Sequence, residues 1–336
     1  MPESKVKLGV AMLSLANEPI RAGIETAREA ESLGYSCLWL PEVSGPDALV
    51  ALGALTAHTR SIELATGVVP IQIRTPAVLG TAFLTLNELS EGRAIAGLGV
   101  SSPIIVERWH GASYRKPLTA MRECVEIMRQ LFRDGRVKFD GAVYKAELRL
   151  RMPILQKRAP RIYLAALNPP MLRLAGEVAD GVLLNYSPAE AVAKQVAVVR
   201  EAAKAAGRNA DDLDYAVFAR MCVTDEAEAA RLAFKRELAT YAFVESYQKM
   251  FASIGMEREM AEVRRMWHAG QRDQAPTAIS DASADKLGSF GTADRARDFI
   301  ARFRAAGITH PVVFPVGPTR TNQRDFLNTM RALAGA

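Results

Sequence analysis

Short apolar runs alternate along the chain with longer stretches in which apolar residues recur at helical spacing. Eight runs stand out: VKLGVAML (6–13), CLWL (37–40), IELATGVVP (62–70), RAIAGLGV (93–100), RIYLAAL (161–167), GVLLN (181–185), DYAVFARMCV (214–223) and PVVFPV (311–316). Runs this short, with few polar residues, are typical of parallel strands that helices bury on both faces. A helical pattern follows each run, so the chain reads as repeated strand–helix units.

Eight such units predict a closed (β/α)8 barrel, or TIM barrel, a fold that typically takes about 250 residues. The chain has 336 residues and therefore needs insertions. Residues 136–160 alternate in hydrophobicity like a hairpin, and residues 225–290 carry a mostly polar helical pattern with a loop. No linker rich in Pro, Gly or Ser breaks the pattern, so we predict one barrel domain over residues 1–336. An open doubly wound sheet is the alternative.

The composition is that of an ordinary globular protein, with 49% hydrophobic and 24% charged residues. The net charge of +6 (43 − 37) is mild and no polybasic block concentrates it, which makes nucleic acid a poor candidate partner. No apolar run reaches the length of a membrane span, and the first residues do not resemble a signal peptide. We therefore expect a cytoplasmic protein that makes no membrane contact.

The cysteines and histidines give no sign of a metal site. Cys37, Cys124 and Cys222 lie far apart and form neither a C-x-x-C pair nor a disulfide framework. The four histidines include no i, i+4 pair, so no metal is expected. His110, which follows the fourth run at some distance, is more typical of a structural hydrogen-bonding residue than of a proton carrier.

In a (β/α)8 barrel the functional site lies at the carboxyl ends of the strands. Glu42 follows the second run, where a general acid or base would stand, although an acid there can also cap the next helix or pair with an arginine. Gly67 lies within the third run and indicates a bulge or a close approach, or else tight barrel packing. Asn168 can cap a helix that begins with Pro169 and Pro170, where an anion could bind; the alternative that these residues alone favour is a plain helix start.

Several standard motifs are absent from the sequence. It contains no G-x-G-x-x-G and no G-x-x-x-x-G-K-[ST], so neither common nucleotide-binding loop applies. It contains no G-x-S-x-G nucleophile elbow. Glycosidase chemistry needs two carboxylates, and only Glu42 stands at a strand end, so that interpretation is weak.

Four segments together resemble the luciferase-like monooxygenase superfamily, and within it the coenzyme F420-dependent oxidoreductases. They are GYSCLWLPE (34–42), TGVVPIQIRTPAVLGTAFLTLNELSEGRAIAGLGVSSP (66–103), ERWHGASYRKP (107–117) and IYLAALNPPMLRLAGEVADGVLLN (162–185). The pattern TLxELSxGR followed by GLG is specific in combination. The resemblance covers nearly the whole chain and is loosest over residues 225–290.

The resemblance implies a TIM-like barrel with insertions that holds coenzyme F420, a deazaflavin, or alternatively FMN. It implies a non-prolyl cis peptide that backs the cofactor ring, a turn after strand four that lines the cofactor, and a loop after strand five that binds its phosphate. The residues implied to contact the cofactor are Gly67, Val68, Gly99, Val100, Ser101, Ser102, Ala165, Ala166, Leu167 and Asn168.

The resemblance also implies that the acid after strand two, here Glu42, takes part in catalysis. Many relatives have Asp followed by His there, whereas Val43 follows Glu42. Some relatives carry Glu where this chain has Ser102, which speaks against a sugar-phosphate substrate. We expect hydride transfer between the deazaflavin and a small organic substrate. An FMN-dependent monooxygenase and a catalytically silent cofactor-binding barrel are the alternatives, and a homodimer is left open.

Overall fold

The computed structural model describes residues 7–12, 20–152, 158–317 and 323–336. Its strands are β1 (Gly9–Ala11), β2 (Cys37–Leu40), β3 (Glu63–Thr66), β4 (Val69–Pro70), β5 (Ala94–Gly99), β6 (Arg136–Asp140), β7 (Lys145–Arg149), β8 (Arg161–Ala165), β9 (Gly181–Leu184), β10 (Asp214–Val223), β11 (Gly288–Gly291) and β12 (His310–Pro315). Eight of these strands form a closed parallel ring in the order β1–β2–β3–β5–β8–β9–β10–β12, which returns to β1. The predicted (β/α)8 barrel is confirmed and the open sheet is wrong.

Helices follow the strands, and most of them cover the outside of the barrel. They are α1 (Ile20–Ser32), α2 (Ala48–Thr56), α3 (Pro76–Leu89), α4 (Pro117–Asp134), α5 (Pro169–Val178), α6 (Ala189–Ala205), α7 (Ala227–Tyr241), α8 (Glu245–Ser253), α9 (Glu257–His268), α10 (Asp281–Leu287), α11 (Ala293–Ala305) and α12 (Gln323–Ala332). Asp47 and Thr75 cap α2 and α3 by accepting backbone N–H groups of Val50 and Val78. Gly34, with φ +84°, follows α1 in the left-handed conformation that is common just after a helix.

The segments predicted as insertions form two different structures. Within residues 136–160, β6 and β7 pair antiparallel, and the Glu123 carboxylate on α4 accepts three backbone N–H groups at their turn. Residues 225–290 form α7 to α10 and then β11, a strand that the sequence did not predict. β11 extends the barrel wall by pairing with β10 from Arg220 onward, beyond the part of β10 that pairs with β9.

Parts of four predicted elements lie outside the described residues. They are residues 6 and 13 of the first run, residues 18–19 and 320–322 of the first and last helical stretches, and residues 153–157 of the predicted hairpin segment. The division into one domain with two insertions stays a prediction.

Aromatic side chains fill the middle of the barrel. Trp39 packs against Tyr163 and Phe218, with ring centroids 5.5 and 6.1 Å away, and Phe218 packs against Phe314 at 5.1 Å. Such edge-on and tilted contacts are favourable arrangements for buried rings. The barrel is therefore a packed core that supports the carboxyl-end face, as is usual for this fold.

Charged residues close the amino-terminal end of the barrel. Asp214 accepts hydrogen bonds from Lys7, at 2.8 Å, and from Arg161 and the Tyr163 hydroxyl. Arg161 also pairs with Glu63 at 2.6 Å. The network places several full charges close to the buried aromatic core.

The three cysteines are buried free thiols. Within the described ranges, no group of His, Cys, Asp and Glu side chains is placed to hold a metal ion. None of the helices in the described part of the chain is both long and apolar enough to cross a membrane.

Candidate active site

A cavity of about 630 Å³ opens at the carboxyl ends of the barrel strands. Loops after five barrel strands line it, and α7 and α8 cover one side. The sequence-predicted residues that lie in its wall are Glu42, Gly67, Val68, Gly99, Val100, Ser101, Ser102, Ala165, Ala166, Leu167 and Asn168. The fold thus brings every candidate residue into one cavity, of a volume typical of small-molecule sites.

A bulge in the third strand shapes one wall of this cavity. Ala65 pairs with Ile95 of β5, but Val69 pairs with Leu98, so four residue steps on one strand face three on the other. The additional residue lies between Thr66 and Val69, which confirms the bulge predicted at Gly67. The peptide bond between Gly67 and Val68 is cis, as the family resemblance implies.

Two glycines of β5 make room for this bulge. A Cβ atom at Gly97 would lie 1.8 Å from the carbonyl oxygen of Thr66, and one at Gly99 would lie 2.5 Å from Cγ2 of Val68. The Thr66 hydroxyl also bonds the Gly97 backbone, donating to its oxygen at 2.7 Å and accepting from its nitrogen at 3.0 Å. The GLG sequence therefore reflects close packing of two strands, and it holds Val68 in the cavity wall.

The loop after β8 leads into the N-terminus of α5. Asn168 occupies the predicted N-cap position, but its side chain makes no capping bond and instead donates to the carbonyl of Ser246 on α8 at 3.1 Å. Pro169 and Pro170 have no N–H, and Ala166 donates its N–H to Leu183. The backbone N–H groups of residues 167 and 168 are bonded to no other described residue, and they are the donors at this helix start.

Glu42 lies in the cavity wall with both carboxylate oxygens occupied. Oε1 accepts from Arg74 at 2.6 Å, and Oε2 accepts from Arg74 at 3.0 Å and from the Ala48 N–H of α2 at 2.8 Å. Burial alone would lower the pKa of Arg74, but its hydrogen bonds to Glu42 and Asp47 raise that pKa. This geometry is that of an acid that caps a helix and pairs with an arginine. The catalytic role of Glu42 stays a prediction.

A second polar cluster, centred on Arg220 of β10, lies where α7 covers the cavity. The Arg220 side chain is 3% exposed, and its Nε donates to Glu237 Oε1 at 2.8 Å while Nη1 donates to Asn185 Oδ1 at 2.5 Å. The guanidinium carbon lies 3.7 Å from the ring centre of Tyr186 and 4.3 Å from that of Phe314. Two cation–π contacts and two hydrogen bonds thus fix this guanidinium in the wall.

Neighbouring side chains complete the Arg220 cluster. Glu237 Oε1 also accepts from the Tyr186 hydroxyl, and Asn185 Nδ2 donates to the Tyr247 hydroxyl at 2.8 Å. Burial raises the pKa of Tyr186 and that of Tyr247 well above the ordinary value, so both phenols keep their protons. Asn185, Arg220, Glu237 and Tyr247 all line the cavity.

Most residues of the Arg220 cluster were not predicted as site residues from the sequence. Arg220 had a signal, since it is the single basic residue inside an apolar strand run, DYAVFARMCV. Asn185 ends the sixth run and Tyr186 follows it. Glu237 lies in an ordinary polar helix pattern, and only the packing of α7 against the barrel brings it to the site.

The mouth of the cavity is apolar. Ile104 and Trp109, which bound a π-helical turn, and Leu118 at the start of α4 line the cavity and are 40–54% exposed. Apolar residues exposed around a cavity are typical of a surface that binds an apolar ligand. His110, at the end of the π-helical turn, is exposed and does not line the cavity.

Comparison with known proteins agrees with this fold and site. The family model of luciferase-like monooxygenases matches residues 6–310, and the chain belongs to that family. It is 31% identical to a putative coenzyme F420-dependent oxidoreductase of Mycobacterium tuberculosis, over 93% of this chain and 95% of that one. It is 30% identical to the 5,10-methylenetetrahydromethanopterin reductase of Archaeoglobus fulgidus, over 87% and 89% of the two chains.

A solved structure shows the same fold. It is the coenzyme F420-dependent tetrahydromethanopterin reductase of Methanopyrus kandleri, with a TM-score of 0.81, 22% identity and 98% of each chain covered. The family resemblance inferred from the sequence is confirmed.

Proposed function

We propose that this chain is a coenzyme F420-dependent oxidoreductase that transfers a hydride between the deazaflavin and a small organic substrate. One observation carries the proposal: the bulge at Gly67 and Val68, the turn after β5 and the loop after β8 line one cavity. A relative that matches 93% of this chain is named as a putative coenzyme F420-dependent oxidoreductase, which supports the same cofactor here.

The residues of the cavity fit the flat ring of a deazaflavin. Gly67, Gly99, Ala165 and Ala166 have no side chain or only a methyl group, so this part of the wall stays open. Val68 packs against Gly99 and projects from the bulge. We therefore assign Val68 as the residue that backs one face of the ring, which leaves the opposite face to the substrate.

The donor set after β8 fits a phosphate group. The N–H groups of Leu167 and Asn168 lie at the N-terminus of α5, a helix of ten residues whose dipole favours an anion there. The two prolines of the first turn leave few backbone donors, so Ser101 and Ser102 on the neighbouring loop after β5 are proposed to contribute hydroxyl donors. This placement of the cofactor is a proposal that mutagenesis can test.

When bound, the deazaflavin supplies the hydride chemistry, and the chain's own residues orient the reactants and exclude water. Val68 and Gly99 position the ring, the helix start holds the phosphate, and the apolar mouth accepts the substrate. A charged side chain of the wall must then exchange the proton that accompanies hydride transfer.

Titration of the purified protein with F420, followed by the fluorescence of the cofactor, tests the proposal. We expect saturable binding with one cofactor per chain, and turnover when a substrate is found. Tighter binding of FMN with oxygen-dependent hydroxylation would favour the monooxygenase alternative. Cofactor binding without turnover on any acceptor would favour the silent barrel. A cytoplasmic location and a homodimer stay predictions.

A further inference from the structure

We propose that Glu237 exchanges the substrate proton and that Arg220 holds the substrate oxygen, so that the substrate is a secondary alcohol or the corresponding ketone. The inference rests on the proposed function, because it deepens the same site. It concerns a cluster between β10 and α7, and β10 lies three strands around the barrel from β2, the strand that Glu42 follows.

The first argument compares the two carboxylates that line the cavity. Glu42 makes three hydrogen bonds that occupy both of its oxygens, and its side chain is 9% exposed. Glu237 accepts from Arg220 and Tyr186 through Oε1 alone, and its side chain is 23% exposed. Its Oε2 accepts from no other described residue. Glu237 is thus the carboxylate with an oxygen available to a molecule in the cavity.

The second argument concerns the free donor of Arg220. Nε and Nη1 are bonded to Glu237 and Asn185, whereas Nη2 bonds to none of the residues that the structure describes. The aromatic rings of Tyr186 and Phe314 lie against the guanidinium and prevent it from swinging away. The Arg220 N–H donor lies beside the Glu237 carboxylate, which is an acceptor. A hydroxyl suits this pair, because its single oxygen can accept from the first and donate to the second.

The charge of Arg220 restricts the substrate further. A carbonyl oxygen gains negative charge as hydride is added to its carbon, and a buried cation stabilises that charge. An amine substrate would instead give an iminium cation, which the same buried guanidinium would repel. The cluster therefore favours carbon bonded to oxygen over carbon bonded to nitrogen.

The proposed reaction balances in protons and electrons with these groups. In the oxidative direction the C–H bond of the alcohol breaks and its electron pair leaves as hydride to the oxidised deazaflavin. The O–H bond breaks and its proton passes to Glu237 Oε2, while the C=O bond forms with its oxygen on Arg220 Nη2. Reduction of the ketone follows the same steps in reverse. Tyr186 and Asn185 act as positioning residues.

The apolar lining of the cavity indicates that the rest of the substrate is apolar. Outside the Arg220 cluster, the cavity lining includes the apolar side chains of Ile104, Ile105, Trp109, Leu118 and Val244. Cyclohexanol and 2-octanol are suitable probes, because each joins a secondary alcohol to an apolar body. Cyclohexylamine is the matched probe in which nitrogen replaces the oxygen.

The test compares Glu237→Gln with Glu42→Gln in the F420-loaded protein. We expect the wild type to oxidise both alcohols but not the amine, and Glu237→Gln to lower kcat by about 10²- to 10⁴-fold with unchanged F420 affinity. The low-pH limb of kcat/KM, which reports a group that must be deprotonated, should disappear in Glu237→Gln and persist in Glu42→Gln. Unchanged F420 affinity also shows that each variant is folded.

Other groups around Glu237 do not produce that limb. The ionisable side chains that face it are Arg220 on β10, Tyr186 after β9, Tyr241 on α7 and Tyr247 on α8.

Lysine in place of Arg220 keeps the charge but loses the planar fork, so Arg220→Lys should raise KM for cyclohexanol more than Glu237→Gln does.

Each outcome bears on a separate claim. Absence of F420 binding by the wild type would overturn the proposed function itself. F420 binding with no oxidation of either alcohol, or with oxidation of the amine, would overturn the substrate class alone. Full turnover and an intact pH limb in Glu237→Gln would overturn the role of Glu237, and loss of the limb in Glu42→Gln would return that role to Glu42.

Discussion

Replacement of His310 should remove a large part of the acid sensitivity of the fold. His310 is fully buried at the start of β12, and its Nδ1 has no hydrogen-bond partner among the described residues. Its Nε2 lies 3.5 Å from the Ser36 hydroxyl, and its ring packs edge-on against Trp39. Burial lowers the pKa of His310 from 6.5 to about 3; Asp214 has a smaller, opposing effect that raises the pKa, and Lys7 and Arg161 lower it further.

The sign and size of the effect follow from this shift in pKa. The unfolded chain binds a proton at His310 below pH 6.5, whereas the folded chain does not until about pH 3, so stability falls as the pH falls through that window. At about pH 5 the chain is 1.5 pH units below 6.5, which at about 1.4 kcal/mol per unit costs about 2 kcal/mol. The loss of stability at pH 5 hardly depends on the pKa of His310 in the folded chain, as long as that pKa stays below about 4.

Urea unfolding at pH 8 and pH 5, followed by tryptophan fluorescence, measures this loss. His310→Asn removes the titrating group, and the difference in unfolding free energy between the two pH values should shrink by about 2 kcal/mol. His58→Gln removes an exposed histidine and should leave the difference unchanged. An equal pH dependence in wild type and His310→Asn would refute the reasoning, whatever the stability of the variant at pH 8.

Two further predictions concern the cofactor wall. Gly99→Ala places a Cβ 2.5 Å from Val68 Cγ2, and such overpacking should lower the free energy of unfolding by about 1–3 kcal/mol in urea unfolding. Because Val68 must move out of its place in the ring wall, F420 affinity measured by titration should fall as well. The helical control Gly53→Ala, which meets no atom within 4 Å, should bind normally. Leu167→Asp should weaken F420 binding more than Asn168→Ala does, because it puts a negative charge beside the phosphate while the backbone donors persist in the second variant; equal affinities would contradict the phosphate position.

The barrel could be predicted because its signals are local. Strands buried on both faces give short apolar runs, and the caps Asp47 and Thr75 stand next to the helices they begin. β11 could not be predicted, because GSFG is too short for a periodic pattern and its pairing with β10 is distant in sequence. The strand β11 forms because helices α7 to α10 bring residues 288–291 next to β10.

The candidate site was predictable only where the backbone carries the information. The glycines of the third and fourth runs mark close approach of two strands, and their spacing is readable in sequence. The sequence does not show whether a carboxylate oxygen is available, because that depends on the hydrogen-bond partners that the fold supplies. Arg74 and the Ala48 N–H occupy the carboxylate of Glu42, whereas α7 brings Glu237 to Arg220. A position at a strand end therefore identifies candidates without ranking them.

The choice of cofactor is the central claim, and a paired titration with F420 and FMN at two salt concentrations tests it most directly. Both cofactors share a flat ring, a ribityl chain and a phosphate, but F420 adds an anionic tail that a chain with net charge +6 attracts. We predict tighter binding of F420 at both salt concentrations, with a margin over FMN that narrows as salt screens the tail. Tighter binding of FMN, with oxygen-dependent hydroxylation of a substrate, would contradict the account.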